Sequence, residues 1–293
     1  MGRHDSQRLG FVPANLRRWI RNQVDDWGRL TSRARMMPSF LIVGAQRSGT
    51  SALYEYLVRH PAIGRSTTEE VHYFTHNFDR GVAWYRGHFP TLLRQAYVRR
   101  RHGLELICGE ATPYYMFHPH APSRIAELLP TAKLIVVLRN PVERAYSHFV
   151  HSRRVGVEPI ESFEEALHAE PARLAGEVEK MRRDPAYRSR NHWHFSYVTR
   201  GIYIDQMEVL DSLFSAHQIL VLSADQLLRQ TAETHARVLR FLDQPVIALP
   251  NYHRHNASPY APMDPGTRAR LVERFAEPNR RLYDFLGVDF GWE

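Results

Sequence analysis

Between Phe40 and Ser51 the chain reads FLIVGAQRSGTS: an apolar run, a turn punctuated by Gly44 and Gly49, and the start of a helix. A strand that feeds directly into a helix suits a parallel sheet, whose neighbouring strands need helical crossovers. The two glycines keep the spacing of the triphosphate loop G-x-x-x-x-G-K-[ST], yet Thr50 stands where that loop has its lysine, with Ser51 after it. Backbone N–H groups from Arg47 through Ser48, Gly49 and Thr50 to Ser51 can still converge on an anion. Glycine permits the dihedrals this needs, and the following helix turns its positive end toward the loop. Arg47 is the loop's own cation. Without a lysine at the β/γ-phosphate bridge, γ-phosphoryl transfer is disfavoured against handling of a donor through a 5′-phosphate. An ordinary strand-to-helix turn is the plain alternative.

The same alternation recurs downstream. Apolar runs at Phe40–Val43, Leu104–Cys108, Lys133–Leu138 and Ile219–Leu222 read as buried strands. Helical patterns lie around Ser51–Arg59, Ala121–Leu129, Val142–Arg154, Thr199–Ser215, Ala224–Leu242 and Gly266–Leu286. The expected class is α/β, a P-loop-like three-layer fold with a central parallel sheet flanked by helices. Its ligands belong at the carboxyl ends of the strands, where Gly44–Ser51, Glu110–Tyr115 and Arg139–Ser147 all fall. No Gly/Ser- or Pro-rich linker divides the chain, so residues 38–293 read as a single domain. Residues 1–37 form a basic extension in which Leu16, Ile20, Val24, Trp27 and Leu30 recur near helical spacing. Two uses are open to that stripe: packing on the domain, the commoner fate, or peripheral contact with an acidic membrane surface through residues 14–36.

Charge narrows the ligand. The formal net charge is +8, and of 39 lysines and arginines only Lys133 and Lys180 are lysine, so cationic roles fall to arginine and histidine. Such a surplus suits anionic ligands. No helix-turn-helix, RNP or zinc-finger pattern points to nucleic acid. No dense His/Cys/Asp cluster suggests a metal. Cys108 is the sole cysteine, no apolar run approaches the ~20 residues of a membrane span, and no apolar signal core opens the chain; a cytoplasmic location is the expectation.

After the Lys133–Leu138 run comes Arg139-Asn-Pro-Val-Glu-Arg-Ala-Tyr-Ser147, with Pro141 suited to open a helix. Arg139 leaves the strand end and Ser147 lies about two turns into the helix, so one anion can meet both. Arg144, between them, either shares in that motif or pairs with a carboxylate on its own helix. A nucleotide carrying 5′- and 3′-phosphates fits the two sites together.

These residues resemble the sulfotransferases that use 3′-phosphoadenosine 5′-phosphosulfate (PAPS), in the loop Gly44-Ala-Gln-Arg-Ser-Gly-Thr-Ser51 and in Arg139-x-Pro-x-x-Arg-x-x-Ser147. Glu69-Glu-Val-His-Tyr-Phe74, Gly81-x-x-Trp84-Tyr85 and Phe89-Pro90 resemble specifically the heparan sulfate N- and 3-O-sulfotransferases. Gly109-Glu-Ala-Thr-Pro-Tyr114, Gly201-x-Tyr203, Met263-Asp-Pro265, Pro278-Asn279 and Phe290-Gly-Trp292 continue the resemblance in order. It implies Glu70 as the general base, with Glu69 the neighbouring alternative, and His72 beside the transferring group. It also puts Arg47 in the place of the family's loop lysine, and Ser48, Gly49, Thr50, Ser51, Arg139 and Ser147 on the cofactor. PAPS would be the co-substrate and PAP the product, with no metal. Two positions depart from the branch. Ala111 stands where a lysine follows the strand glutamate, and Tyr252–Ser258 carries no Lys-Gly-Arg clamp, which leaves Arg254 or His255 as the substitute.

The resemblance implies a hydroxyl, less readily an amine, of a carbohydrate-bearing, glycolipid or small hydroxylated acceptor. The rival readings are a nucleotide kinase or NTPase, which Thr50 opposes, and a catalytically inactive nucleotide-binding interaction protein. Acceptor specificity is expected in Thr75–Gly87, Pro113–His120 and the insertion Glu158–Ser196, the last suited to a mobile lid. Trp84 and Trp193 are each open to core packing or to sugar stacking.

Overall fold

The computed structural model describes residues 14–252 and 261–292. Five strands, β1 (Phe40–Gly44), β2 (Ile63–Gly64), β3 (Ile107–Ala111), β4 (Lys133–Leu138) and β5 (Ile219–Ser223), form one sheet in the order β2-β3-β1-β4-β5. Every pairing is parallel. The strands are buried on both faces, and the period-two alternation divides their side chains between two cores. Leu41, Val43, Leu134, Val136 and Leu138 pack with Tyr203, Met207 and Leu210 of the Tyr203–Leu213 helix. Phe40, Ile42, Ile135 and Val137 pack with Leu53, Tyr54, Val238 and Leu239 from the Thr50–Leu57 and Thr231–Phe241 helices. Helices therefore cover both sides of the sheet, as the α/β pattern requires.

The order of strands locates the site. The helix after β1 leads toward β2 and β3, whereas the chain after β4 leads on to β5, so a crevice opens beyond the carboxyl ends of β1 and β4. The β1–β4 register, Phe40 opposite Lys133 with a shift between Ile42 and Gly44, brings Ala45 N–H to the carbonyl of Val137 at 2.8 Å.

β3 lies three residues later than the apolar run Leu104–Cys108 and includes Gly109 and Glu110. Gly109 has no space for a side chain: a Cβ there would lie 2.4 Å from the Phe40 carbonyl oxygen. Glu110 is fully buried because its carboxylate collects four donors. These are the Tyr85 hydroxyl at 3.0 Å, the Tyr115 hydroxyl at 2.8 Å, the Thr112 hydroxyl at 2.5 Å and the Val71 N–H at 3.1 Å. The two-residue β2 was not expected at all. The pattern Ala224–Leu242 divides into Ala224–Arg229 and Thr231–Phe241 at Gln230, whose dihedrals are not helical.

The insertion Glu158–Ser196 corrects the lid expectation. It folds as the helices Phe163–Leu174, Glu177–Arg183 and Arg190–His194. Phe163, Ala166 and Phe195 join Val142, Ala145, Phe149, Leu271 and Phe275 in a third core. Buried carboxylates pin it further. Glu158 accepts two bonds from Arg173, at 2.6 and 3.0 Å, and one from the Tyr197 hydroxyl at 2.7 Å; Glu170 accepts from the N–H groups of Val198 and Thr199 at 2.7 and 2.9 Å.

The stripe on the Ala14–Leu30 helix corrects the packing expectation, since Leu16, Ile20, Val24, Trp27 and Leu30 are all exposed. The helix meets the domain elsewhere on its circumference. Gly28 lies backbone to backbone against Gly87, and Asp25 pairs with Arg80 at 3.2 Å. Among the described residues no helix is long and apolar enough to cross a membrane.

Replacing Glu110 by alanine strands these buried donors and opens a cavity, so unfolding free energy should fall by about 3 kcal/mol or more. Glutamine, which can still accept, should lose less. Urea titration of the two variants checks the order.

Candidate functional site

The loop after β1 turns through two positive-φ residues, Arg47 at 70° and Gly49 at 94°, into the helix that begins at Thr50. Beyond β4, Asn140 caps the Pro141–Arg154 helix by accepting from Val142 N–H at 2.9 Å, and Pro141 opens it. Ser147, buried two turns along, thereby faces the loop: Arg47 Nε donates to its hydroxyl at 3.2 Å across 100 positions of sequence. Arg139 reaches the same loop, Nη1 donating to the Arg47 carbonyl at 3.1 Å, while the Tyr203 hydroxyl holds the Arg139 carbonyl at 2.9 Å. Arg47, Arg139 and Ser147 thus adjoin at the crevice, the loop cation against the strand-end pair. Ser48 and Thr50 are buried in the turn, and Ser48 lies beside the Tyr203 phenol. Arg254 and His255 lie outside the described residues.

A second segment, Glu69–His72, is fixed at the end of β3. Ala111 N–H donates to the Glu69 carbonyl at 3.2 Å, and Glu110 and Thr112 take the N–H groups of Val71 and His72. Glu69 and Glu70 then part. The Glu69 carboxyl turns inward onto the Ser51 hydroxyl, and burial raises its pKa. Glu70 turns outward, its side chain 42% exposed, and its Oε2 lies 2.9 Å from His72 Nε2. His72 sits at a φ of 53°. Among the described residues only Arg47, His72 and Asp243 are non-glycine residues with positive φ, so the backbone spends strain at two of the three candidate catalytic positions.

The wall opposite comes from the insertion. The Trp193 ring lies 5.6 Å from His72 and 4.2 Å from His76, with His194 stacked against it at 4.3 Å. Trp193 is half-buried in this wall, whereas Trp84 is buried in the core beside Tyr73 and His88.

Sequence reasoning missed the residue that ties wall to loop. Arg200 is fully buried; it donates to Gln46 of the loop and to the carbonyls of His192 and Trp193 at 2.9 and 2.8 Å. Its guanidinium also lies over Phe117, 4.8 Å from the ring centroid. Its position, directly before Gly201-x-Tyr203, was the available signal. Arg144 is buried as well and donates to the Tyr197 carbonyl, so it does not make the carboxylate pair open to it on sequence. Among the described residues, its Nε and Nη1, and Arg200 Nε, meet no hydrogen-bond partner.

Burial lowers the pKa of both guanidinium groups, that of Arg200 to about 9, which leaves it charged at neutral pH. His148, buried beside Arg200, Arg144 and Arg47, is held well below the ordinary histidine range by burial and then by those cations. The cluster is therefore a concentrated positive field under a loop built to approach an anion, which fits a phosphorylated ligand.

Burial likewise pushes His76 and His192 to about 3, His118 to about 2 and His194 to about 4. These histidines stay neutral in the fold but take up protons when unfolded below their ordinary 6.5, so their contribution is present above that pH and lost as pH falls. The urea midpoint should drop as pH is lowered from about 6.5 to 4. A His118→Gln variant should show a shallower drop over the same range.

Residues 37–255 match the Sulfotransferase domain family. Among curated proteins, the chain is 25% identical to the membrane-associated sulfotransferase kil1 of Dictyostelium discoideum, over 88% of this chain and 67% of that protein. It is 29% identical to the mouse (Mus musculus) heparan sulfate glucosamine 3-O-sulfotransferase 6, over 88% of this chain and 75% of that protein. A solved sulfotransferase from Alicyclobacillus acidocaldarius superimposes with a TM-score of 0.63 at 28% identity, over 87% of this chain and 98% of that one.

Proposed function

The chain belongs to the sulfotransferases, and from that membership we propose that it moves a sulfuryl group from PAPS to a hydroxyl of a carbohydrate-bearing acceptor. The observation that carries this reading is the meeting of Arg47 with Ser147 at 3.2 Å, with Arg139 on the same loop at 3.1 Å. One cluster of two guanidinium groups and a hydroxyl at the β1–β4 crevice suits a nucleotide that carries two separate phosphates.

The bound donor supplies an activated sulfuryl group on a 5′-phosphate leaving group. Arg47 and the N–H groups of the loop through Ser51 hold that phosphate and oppose the charge gathering on it as the S–O bond breaks. Arginine keeps the positive charge of a loop lysine and adds a planar fork for phosphate oxygens. Arg139 and Ser147 hold the 3′-phosphate. The buried Arg144 and Arg200 reinforce the field at loop and helix.

Glu70 is the base. Its carboxylate is open to an incoming hydroxyl, whereas Glu69 is turned into Ser51. His72, 2.9 Å from Glu70, orients the carboxylate and presents an imidazole beside the reacting oxygen. The half-buried face of Trp193, with His76 beside it, offers a sugar ring a stacking surface. Similarity to proteins named as heparan sulfate 3-O-sulfotransferases and as heparan sulfate N-sulfotransferases supports a carbohydrate acceptor.

Glu70→Gln should lower transfer from labelled PAPS, across a panel of oligosaccharides and glycolipids, by about 10²–10⁴-fold. Binding of PAP should stay within about twofold of the unaltered protein, because the base does not touch the phosphates. Undiminished transfer by the variant would remove Glu70 from the role. Tight binding of ATP with magnesium in place of PAP would remove the sulfuryl donor itself.

A further inference from the structure

The Ala14–Leu30 helix turns its most apolar side to solvent. With about 100° between successive residues, Leu16, Trp19, Ile20, Val24, Trp27 and Leu30 fall within an arc of about 140°, interrupted only by Gln23. Trp19 is 59% exposed, Trp27 64% and Leu30 81%. Gly28 and Asp25, the residues that join the helix to Gly87 and Arg80, lie on another side of it. Glycine makes this docking possible, since a Cβ on Gly28 would come within 2.8 Å of the Gly87 carbonyl. The helix is thus fixed by a backbone contact and an ion pair, and none of the described residues covers its apolar arc.

A second element stands beside its end. Thr91, which caps the Leu92–His102 helix, forms a backbone bridge with Arg35, five positions after Leu30. That helix exposes Leu93, at 82%, and Tyr97 among the exposed arginines Arg94, Arg100 and Arg101. Arg29, at the end of the first helix, and Arg33, in the turn that follows it, are exposed as well. An exposed apolar arc of this kind marks an interaction site, and its chemistry selects the partner. Tryptophan and tyrosine are suited to the headgroup level of a bilayer, leucine and isoleucine to the acyl boundary, and arginine to anionic phosphates. The formal net charge of +8 adds long-range attraction of the same sign.

We propose that the Ala14–Leu30 helix, with the start of the Leu92–His102 helix, docks the enzyme on the anionic surface of a lipid bilayer. The helix lies in the plane of the interface with the Trp19–Trp27–Leu30 arc downward, and the arginines engage lipid phosphates. The contact is peripheral, and it stands independently of the identity of donor and acceptor.

Flotation of the purified full chain with vesicles tests this directly. Binding is expected to phosphatidylcholine vesicles containing phosphatidylglycerol and not to phosphatidylcholine alone, and it should weaken as salt is raised. The triple variant Trp19→Gln/Trp27→Gln/Leu30→Gln should lose at least about tenfold in partitioning, and Arg100→Glu/Arg101→Glu should lose binding to the anionic vesicles. Both variants should keep the thermal midpoint and the PAP affinity of the unaltered protein. Failure of the unaltered protein to float with anionic vesicles overturns the proposal, as does equal flotation by the triple variant. A dimer in solution that the triple substitution dissociates, without lipid binding by either protein, would show that a second copy covers the arc instead.

Discussion

The parallel pairing of β1 with β4 is the constraint on which the site depends. Neither strand carries a candidate site residue within the sheet; apart from the half-buried Lys133 that opens β4, both are apolar and buried. What they contribute is the place where each stops. Because the helices that follow leave in different directions, two loops otherwise remote in sequence are delivered to one crevice, and Arg47 can meet Ser147 there. A one-residue slip of β4 would send its buried side chains to the opposite face and carry Arg139 and Ser147 out of reach.

Around that crevice the protein uses burial to fix charge. Glu110 holds the Glu69–His72 segment by gathering donors from both sides of it. Arg144 and Arg200 are anchored by carbonyl groups rather than by carboxylates. Among the described residues no carboxylate bonds directly to either guanidinium, although Glu170 acts on both at a distance; this favours an anion at the loop, and desolvation is its cost. The same low-dielectric packing keeps the neighbouring histidines neutral, so the positive field is set by arginine and changes little across neutral pH.

Much of this was legible in the sequence. The runs at β1 and β4 are long enough and bounded clearly enough to be read without the fold, and the loop glycines and Pro141 mark their ends. β3 was misplaced because Gly109 and Glu110 look like a strand's termination; only the nearness of Phe40 and the four donors around the carboxylate make them part of one. Two residues at β2 carry no periodicity. Glu69 and Glu70 could not be separated by type, since their difference lies in which way a non-helical segment turns. Arg200 was hidden for the opposite reason: arginine reads as surface, and nothing local announces the backbone carbonyls that receive it. The exposed helix was recognised as a helix but assigned to the commoner use of an apolar stripe, because the side by which it docks is decided by Gly28 and Asp25.

Arg200 also bears on how such an enzyme can change its acceptor over evolutionary time. One guanidinium spans Gln46 of the loop and the carbonyls of the segment that presents Trp193, so loop and wall are tied to each other. Exchange of the 158–196 region between relatives therefore transmits its geometry to the donor side, and a transplanted wall functions only with a matching partner at position 46. Acceptor diversity is expected to arise by side-chain replacement on this frame, with insertion and loop changing together as one module.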